Sequence, residues 1–368
     1  MFIIVVSRGY GSEPGMFELD QAKALRDYGH KVIIISLDLR SVRRRRKLGF
    51  TKSCHEGIET YNFSFPLGRL PVQILLKIGQ FGINKIYKKI LQDHGKPDAI
   101  HAHFTLFAAI AAILKKKYLV RFVMTEHNDE IRTDKANILI GKEAYEFTDE
   151  VITVSSASAE KIKQHFNVNC SVIPNIVDVS IFKMSTEKKI GFTLVSVGML
   201  EYRKGFDLLV NAFHQANLDK TVSLLIIGEG DERRYLEKRI EELMLTEQIK
   251  LLGLLPRKKI EEYLSTSSAF VLASRSESFG VVYIEAMATG LPVIATRCGG
   301  PEYFVNETNG LLVETDNIEE LKRALIYMYQ NVEKYDAKKI SEQTKELFSP
   351  ETIAKKLTEI YKNKAICA

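Results

Sequence analysis

The residues best suited to chemistry lie between Ser274 and Glu302, in SRSESFGVVYIEAMATGLPVIATRCGGPE. Glu277 falls on a polar turn, and Glu285 lies about a turn and a half into a helix predicted over Val281 to Ala288. A helix that opens near Gly280 aims free N–H groups and the positive end of its dipole at whatever sits before it, so an anion is the natural guest. With N–H groups holding the middle of a ligand, the two carboxylates could take hydroxyls at its opposite ends. A nucleoside diphosphate sugar has that layout. A second cluster, Gly198-Met199-Leu200-Glu201-Tyr202-Arg203-Lys204-Gly205, joins a strand to a helix and offers Arg203 and Lys204 to phosphate oxygens. A third, Thr125-Glu126-His127-Asn128, puts an imidazole at the end of a strand.

These clusters need strands that stop where they begin. Ala269-Phe270-Val271-Leu272-Ala273 reads as a buried strand delivering Ser274, Thr193 to Val197 as the strand before Gly198, and Arg121 to Thr125 as the strand before His127. The whole chain repeats this rhythm of strand, loop and helix, starting at Phe2 to Val6 with its SRGYGSEPG loop and the helix Phe17 to Tyr28. No hairpin signal interrupts it, so two doubly wound Rossmann-like α/β domains facing a cleft are expected, with ligands at the carboxyl ends of the strands. A chain of 368 residues also exceeds what one core usually serves.

The spacing of Glu277 and Glu285, with the flanking FGVVYIEAMATGLPVIAT and GGPE, resembles the EX7E motif of the retaining GT-B glycosyltransferases of family 4. The resemblance covers nearly the whole chain and is strongest from Leu194 to Val313. It implies a retaining, metal-independent transfer of a sugar from a UDP- or GDP-linked donor to a sugar or lipid-linked saccharide, in cell-surface polysaccharide or glycolipid biosynthesis. By the same resemblance Glu277 orients sugar hydroxyls, Glu285 grips the ribose, and the N–H groups around Phe279, Gly280, Val281 and Val282 take phosphate oxygens. His127 would lie against the donor sugar, and Gly15 would sit in the loop that closes over the diphosphate. The alternative for Gly15 is a plain turn needing positive φ. The chain departs from the pattern at Met199, where the family's GRL-x-x-x-KG motif has Arg. Either Arg203 supplies the second cation beside Lys204, or the donor is held more weakly. The Pro174-Asn175 step resembles the family's interdomain crossing. It implies an acceptor-side domain over residues 1–177, a nucleotide-sugar domain over 178–349 and a C-terminal helix, 350–368, packing back on the first.

The remaining features bound these readings. The formal net charge of +6 fits an anionic ligand or surface without demanding nucleic acid. Cys54, Cys170, Cys298 and Cys367 are scattered and read as free thiols of a reducing, cytoplasmic compartment. No cofactor or metal is expected: no Asp-x-Asp motif accompanies the cradle, and His101 and His103 lack a third ligand at metal spacing, so they read as core or donor-site histidines. The run from Arg43 to Lys47 is either a solvated loop or a contact with anionic lipid. The basic, apolar helix from Leu70 to Leu91 is either core or a peripheral face on the cytoplasmic membrane. Rival functions are a nucleotide-sugar epimerase of the same fold and a non-catalytic binding subunit. A nicotinamide dehydrogenase is disfavoured because Gly9, Gly11 and Gly15 do not make GxGxxG.

Overall fold

Runs such as Phe2-Ile3-Ile4-Val5-Val6 are apolar on both faces of a strand, which suits a parallel sheet covered by helices on both sides. In the computed structural model, which describes residues 1–10, 13–39, 47–66, 70–128, 134–184 and 191–363, these runs form two separate sheets. The chain divides into two units, Met1–Ile176 together with the segment from Pro350, and Val177–Ser349.

The first unit contains β1 (Phe2–Tyr10), β2 (Glu13–Pro14), α1 (Met16–Asp27), β3 (Lys31–Asp38), β4 (Gly49–His55), β5 (Ile58–Ser64), α2 (Val72–His94), β6 (Ala99–His103), α3 (Thr105–Tyr118), β7 (Arg121–Glu126), α4 (Lys135–Glu146), β8 (Glu150–Thr153), α5 (Ser156–Phe166) and β9 (Ser171–Val172). Its sheet runs β4-β5-β3-β1-β6-β7-β8-β9, with β2 beside β1. The order reverses at β1, which has β3 on one side and β6 on the other, so the carboxyl ends of β1 and β6 flank a switch point where doubly wound sheets bind ligands. Alternate residues of β1 face opposite cores. Ile4 and Val6 pack with Ile83 and Tyr87 of α2 and Ile110 of α3, whereas Ile3 and Val5 pack with Ala22 and Leu25 of α1.

The absence of a hairpin is a misreading. β4 and β5 pair antiparallel from Gly49 opposite Ser64 to His55 opposite Ile58. Glu56 and Gly57 make the turn with φ of 48° and 82°, the left-handed pair that two-residue hairpins favour. Apart from Phe50, β4 offers almost nothing apolar, so its period-2 signal is weak. The basic residues Arg43 to Arg46, with Gly11 and Cys367, lie outside the described residues.

The second unit contains β10 (Thr193–Val197), α6 (Phe206–Ala216), β11 (Ser223–Ile227), α7 (Arg233–Glu242), β12 (Ile249–Gly253), α8 (Arg257–Thr266), β13 (Ala269–Leu272), α9 (Val281–Ala288), β14 (Val293–Thr296), β15 (Gly310–Val313), α10 (Ile318–Asn331) and α11 (Ala337–Phe348). Its parallel sheet runs β12-β11-β10-β13-β14-β15, so its switch point lies between β10 and β13. The loops after these two strands carry Lys204 and Glu277. The last helix, α12 (Pro350–Lys362), returns to the first unit, where Ile353, Leu357 and Tyr361 join the core against α1.

Candidate active site

In the second unit, α9 is fastened to β13 by the Tyr283 hydroxyl, which donates to the Leu272 carbonyl at 2.9 Å. Its N-cap is Gly280, at φ 87° and without a side-chain cap, so the first-turn N–H groups of Val281 and Val282 have no acceptor within the helix. Phe279, just before, is fully buried against Phe304 and Phe348, which fixes the entry of the chain into the helix. Gly300 is required here: a Cβ on it would overlap the Phe279 backbone. The Glu277 backbone is held between the Cys298 carbonyl and the Gly300 N–H.

Lys204 ends a short turn, Tyr202–Lys204, that Gly205 closes at φ 64°. Its Nζ donates to Glu277 Oε1 at 2.5 Å, and the Ser274 hydroxyl donates to the same oxygen at 2.9 Å. Arg203 instead reaches the Ser276 carbonyl at 3.2 Å and Glu201 at 2.9 Å. Met199 is exposed. The two loops are clamped by Arg275, which forks onto Asp207 at 2.9 and 2.8 Å, bonds Asp316 at 2.7 Å and stacks on Tyr202. These bonds, with Asp207 foremost, hold its charge more firmly than usual. Glu285 is buried on α9 and accepts from Arg257 of α8 at 3.0 Å.

In the first unit, β7 carries His127 to the sheet's carboxyl edge. Its Nε2 lies 2.9 Å from His103 Nδ1, and its ring stacks on Phe17 at 5.7 Å and meets Phe104 at 5.0 Å. Burial lowers its pKa to about 4, with the Arg8 guanidinium adding to the shift and the Asn175 side chain opposing it. The Arg8 guanidinium lies 4.8 Å from the Phe104 ring and 4.9 Å from the Tyr10 ring. Gly15 opens α1 at φ −63°, so the plain-turn reading that needs positive φ does not hold. The tightness comes from Glu18, whose carboxyl a Gly15 side chain would overlap. Glu18 is buried, which raises its pKa, against hydrogen bonds from its own N–H and that of Arg8.

His101 and His103 are not isolated core residues but members of a stack with His127, at ring spacings of 4.6 and 5.2 Å. Among the described residues, no group of three His, Cys, Asp or Glu is placed to hold a metal ion. The helix read as either core or membrane face has a core side and an exposed side. Leu76, Ile83, Ile86, Tyr87 and Ile90 of α2 are buried, while Ile74, Lys77, Phe81, Lys85 and Lys88 form an exposed stripe at spacings of three and four. Sequence reasoning missed Arg8, Glu18, Arg257 and Arg275. Only Glu18 carried a local signal, an acidic residue in the first turn of a helix.

Comparison with known proteins settles the family. The model described as Glycosyl transferases group 1 matches residues 180–347, and that described as Glycosyltransferase Family 4 matches residues 18–181. An uncharacterized glycosyltransferase of Methanocaldococcus jannaschii is 31% identical over 258 residues, spanning 68% of this chain and 70% of that protein. The chain belongs to the GT-B glycosyltransferases of family 4. This glycosyltransferase is also 26% identical, over 72% of its length and 71% of the other's, to the D-inositol 3-phosphate glycosyltransferase of Corynebacterium urealyticum. Anabaena HepE, solved with UDP-glucose, shares the fold at a TM-score of 0.75 and 20% identity, covering 98% of this chain and 99% of that one.

Proposed function

We propose that this glycosyltransferase moves a sugar from a UDP- or GDP-linked donor to a saccharide or lipid-linked saccharide, with retention and without a metal, in the synthesis of cell-surface polysaccharide or glycolipid. The observation that carries the proposal is the meeting of Lys204, Glu277 and the uncapped end of α9 at the β10/β13 switch point. A diphosphate set on that helix end has two cationic aids, the dipole and Lys204, in place of a metal. HepE, similar in fold, binds UDP-glucose, which supports a nucleotide-sugar donor.

In the proposed reaction the bond from C1 to the diphosphate oxygen breaks and the acceptor oxygen bonds C1 on the same face. The acceptor hydroxyl's proton passes to the departing phosphate oxygen. Glu277 would orient sugar hydroxyls, Glu285 would accept from the ribose, Arg203 would serve as a second, weaker cation, and His127 would hydrogen-bond the donor sugar. The exposed stripe of α2 would rest on an anionic membrane face where a lipid-linked acceptor is held. Thermal stabilisation by a panel of nucleotide sugars, followed by product anomer analysis with the best donor, tests this reading. Stabilisation by no UDP- or GDP-sugar, or an inverted product, overturns it. Epimerisation of the donor without any acceptor would identify the epimerase instead.

A further inference from the structure

Arg8 stands near the carboxyl end of β1, and its guanidinium reaches the ring of Phe104, the residue that follows β6. The switch point of the first sheet opens between these two strands, so the cation lies across the crevice where such sheets bind ligands. Two rings hold it there, Phe104 at 4.8 Å and Tyr10 at 4.9 Å, and a guanidinium held over aromatic faces keeps its in-plane N–H fork for other partners. Phe104 keeps its place at a backbone cost: φ is 65° and ψ is 142°, a region that an aromatic residue rarely occupies.

The cations of the second unit's site are engaged. Arg203, Lys204, Arg257 and Arg275 each lie within 3.0 Å of a carboxylate oxygen, on Glu201, Glu277, Glu285 and Asp207. Arg8 differs: among the described residues its guanidinium makes no hydrogen bond or ion pair. Glu18 accepts from the Arg8 backbone N–H at 3.2 Å and is only 1% exposed; the two charges attract but do not pair. A second group meets the same ring. His127 lies 5.0 Å from Phe104, and its Nδ1, on the far side of the imidazole from His103, is buried without a hydrogen-bond partner. Phe104 thus carries an unpaired cation and an unpartnered ring nitrogen side by side.

We propose that this crevice is an anion subsite for the acceptor: the acceptor saccharide carries a phosphate or carboxylate close to the hydroxyl that is glycosylated, and the Arg8 fork binds it. This rests on the proposed role of His127 toward the donor sugar, since the ring they share then sets the anion beside the reacting carbon. Phosphate and carboxylate both match the fork with two parallel N–H bonds, whereas a neutral saccharide would leave the charge unpaired.

Ligand-observed NMR titrations of the full chain, saturated with UDP so that the cradle on α9 is filled, compare glucose, glucose 6-phosphate and glucuronate. One of the two anions should bind at least about tenfold tighter than glucose, and which one does tells phosphate from carboxylate. Arg8→Gln changes an exposed side chain, so it should fold as the parent does and erase that preference, while Arg8→Lys, charged but without the fork, should keep part of it. UDP affinity should stay within about twofold of the parent in both variants. Glucose binding as well as both anions overturns the proposal, as does a preference that survives in Arg8→Gln. A parallel fall in UDP affinity overturns it too, by assigning the cation to the donor's diphosphate. If neither UDP nor GDP binds, the proposed function fails by itself, and the same titrations without nucleotide still decide the role of Arg8.

Discussion

Lys204 Nζ and Glu277 Oε1 lie 2.5 Å apart, so the cation assigned to a phosphate and the carboxylate assigned to a sugar neutralise each other across the β10 and β13 loops. Their side chains are only 13% and 6% exposed, which makes the pair costly to break from one side. Lys204→Met should therefore lose about 3 to 5 kcal/mol of stability as well as turnover, because Glu277 is left buried and charged. Adding Glu277→Gln should return most of the stability and none of the activity. Urea unfolding and donor turnover measured on the same samples decide it: a single variant as stable as the parent would show that the pair is not held as described.

Glu285→Ala should weaken free nucleoside diphosphate by roughly 1.5 to 3 kcal/mol for each ribose hydrogen bond lost, tenfold or more in Kd. Arg257→Gln should act in the same direction but less, since it removes the residue that holds Glu285 in place. Calorimetric titration with UDP and GDP checks both. Unchanged affinity in Glu285→Ala removes the ribose assignment.

Gly205 and Gly300 should not accept a methyl group. A Cβ on Gly205 would overlap the Ala273 carbonyl oxygen at a φ of 64°, and one on Gly300 would overlap Phe279. Either alanine variant should lower stability by about 1 to 3 kcal/mol and weaken nucleotide binding as the cradle shifts. Thermal melts with and without UDP separate the two losses.

Acid should unfold the first unit early. His101 and His127 are buried neutral, with pKa lowered to about 3 and about 4, and His103 lies well below its usual value too. The unfolded chain takes up these protons below about pH 6.5. The unfolded state therefore binds more protons between pH 6.5 and 4, and stability falls as pH falls, by up to about 1.4 kcal/mol per unit for each histidine. Unfolding free energies at pH 7 and 5 should differ in the parent and differ less in His103→Asn. An identical drop in both would assign the acid sensitivity to other groups.

Vesicle sedimentation tests the exposed stripe of α2. Binding should require anionic lipid, fade toward 1 M salt, and drop when Lys77, Lys85 and Lys88 become Gln, each lysine contributing about 1 kcal/mol. Phe81→Ser should weaken binding without changing its salt dependence. Equal binding to neutral vesicles would leave the stripe as an ordinary solvated face.

The cradle was legible because its parts are local. An apolar run, a polar turn and a glycine before a helix all sit within the stretch that carries Glu277 and Glu285, and the structure forms β13 and α9 there. What was not legible depends on register. His103 lies beside Thr125 in the sheet, which brings His127 to it across 24 residues, and no local pattern states that pairing. Arg257 reaches Glu285 across 28 residues in the same way. The β4–β5 hairpin escaped because β4 is too polar to show its alternation.

Helix α12 supplies Ile353, Leu357 and Tyr361 to a core that begins at Ile3, and Tyr361 holds His101. The first unit is therefore closed by a segment that follows the whole of the second in the chain, whereas the second is written in one uninterrupted segment. Translation completes the units in the reverse of the order in which they begin, and the nascent first sheet must wait with the α12 side of its core uncovered until the whole second unit has been made.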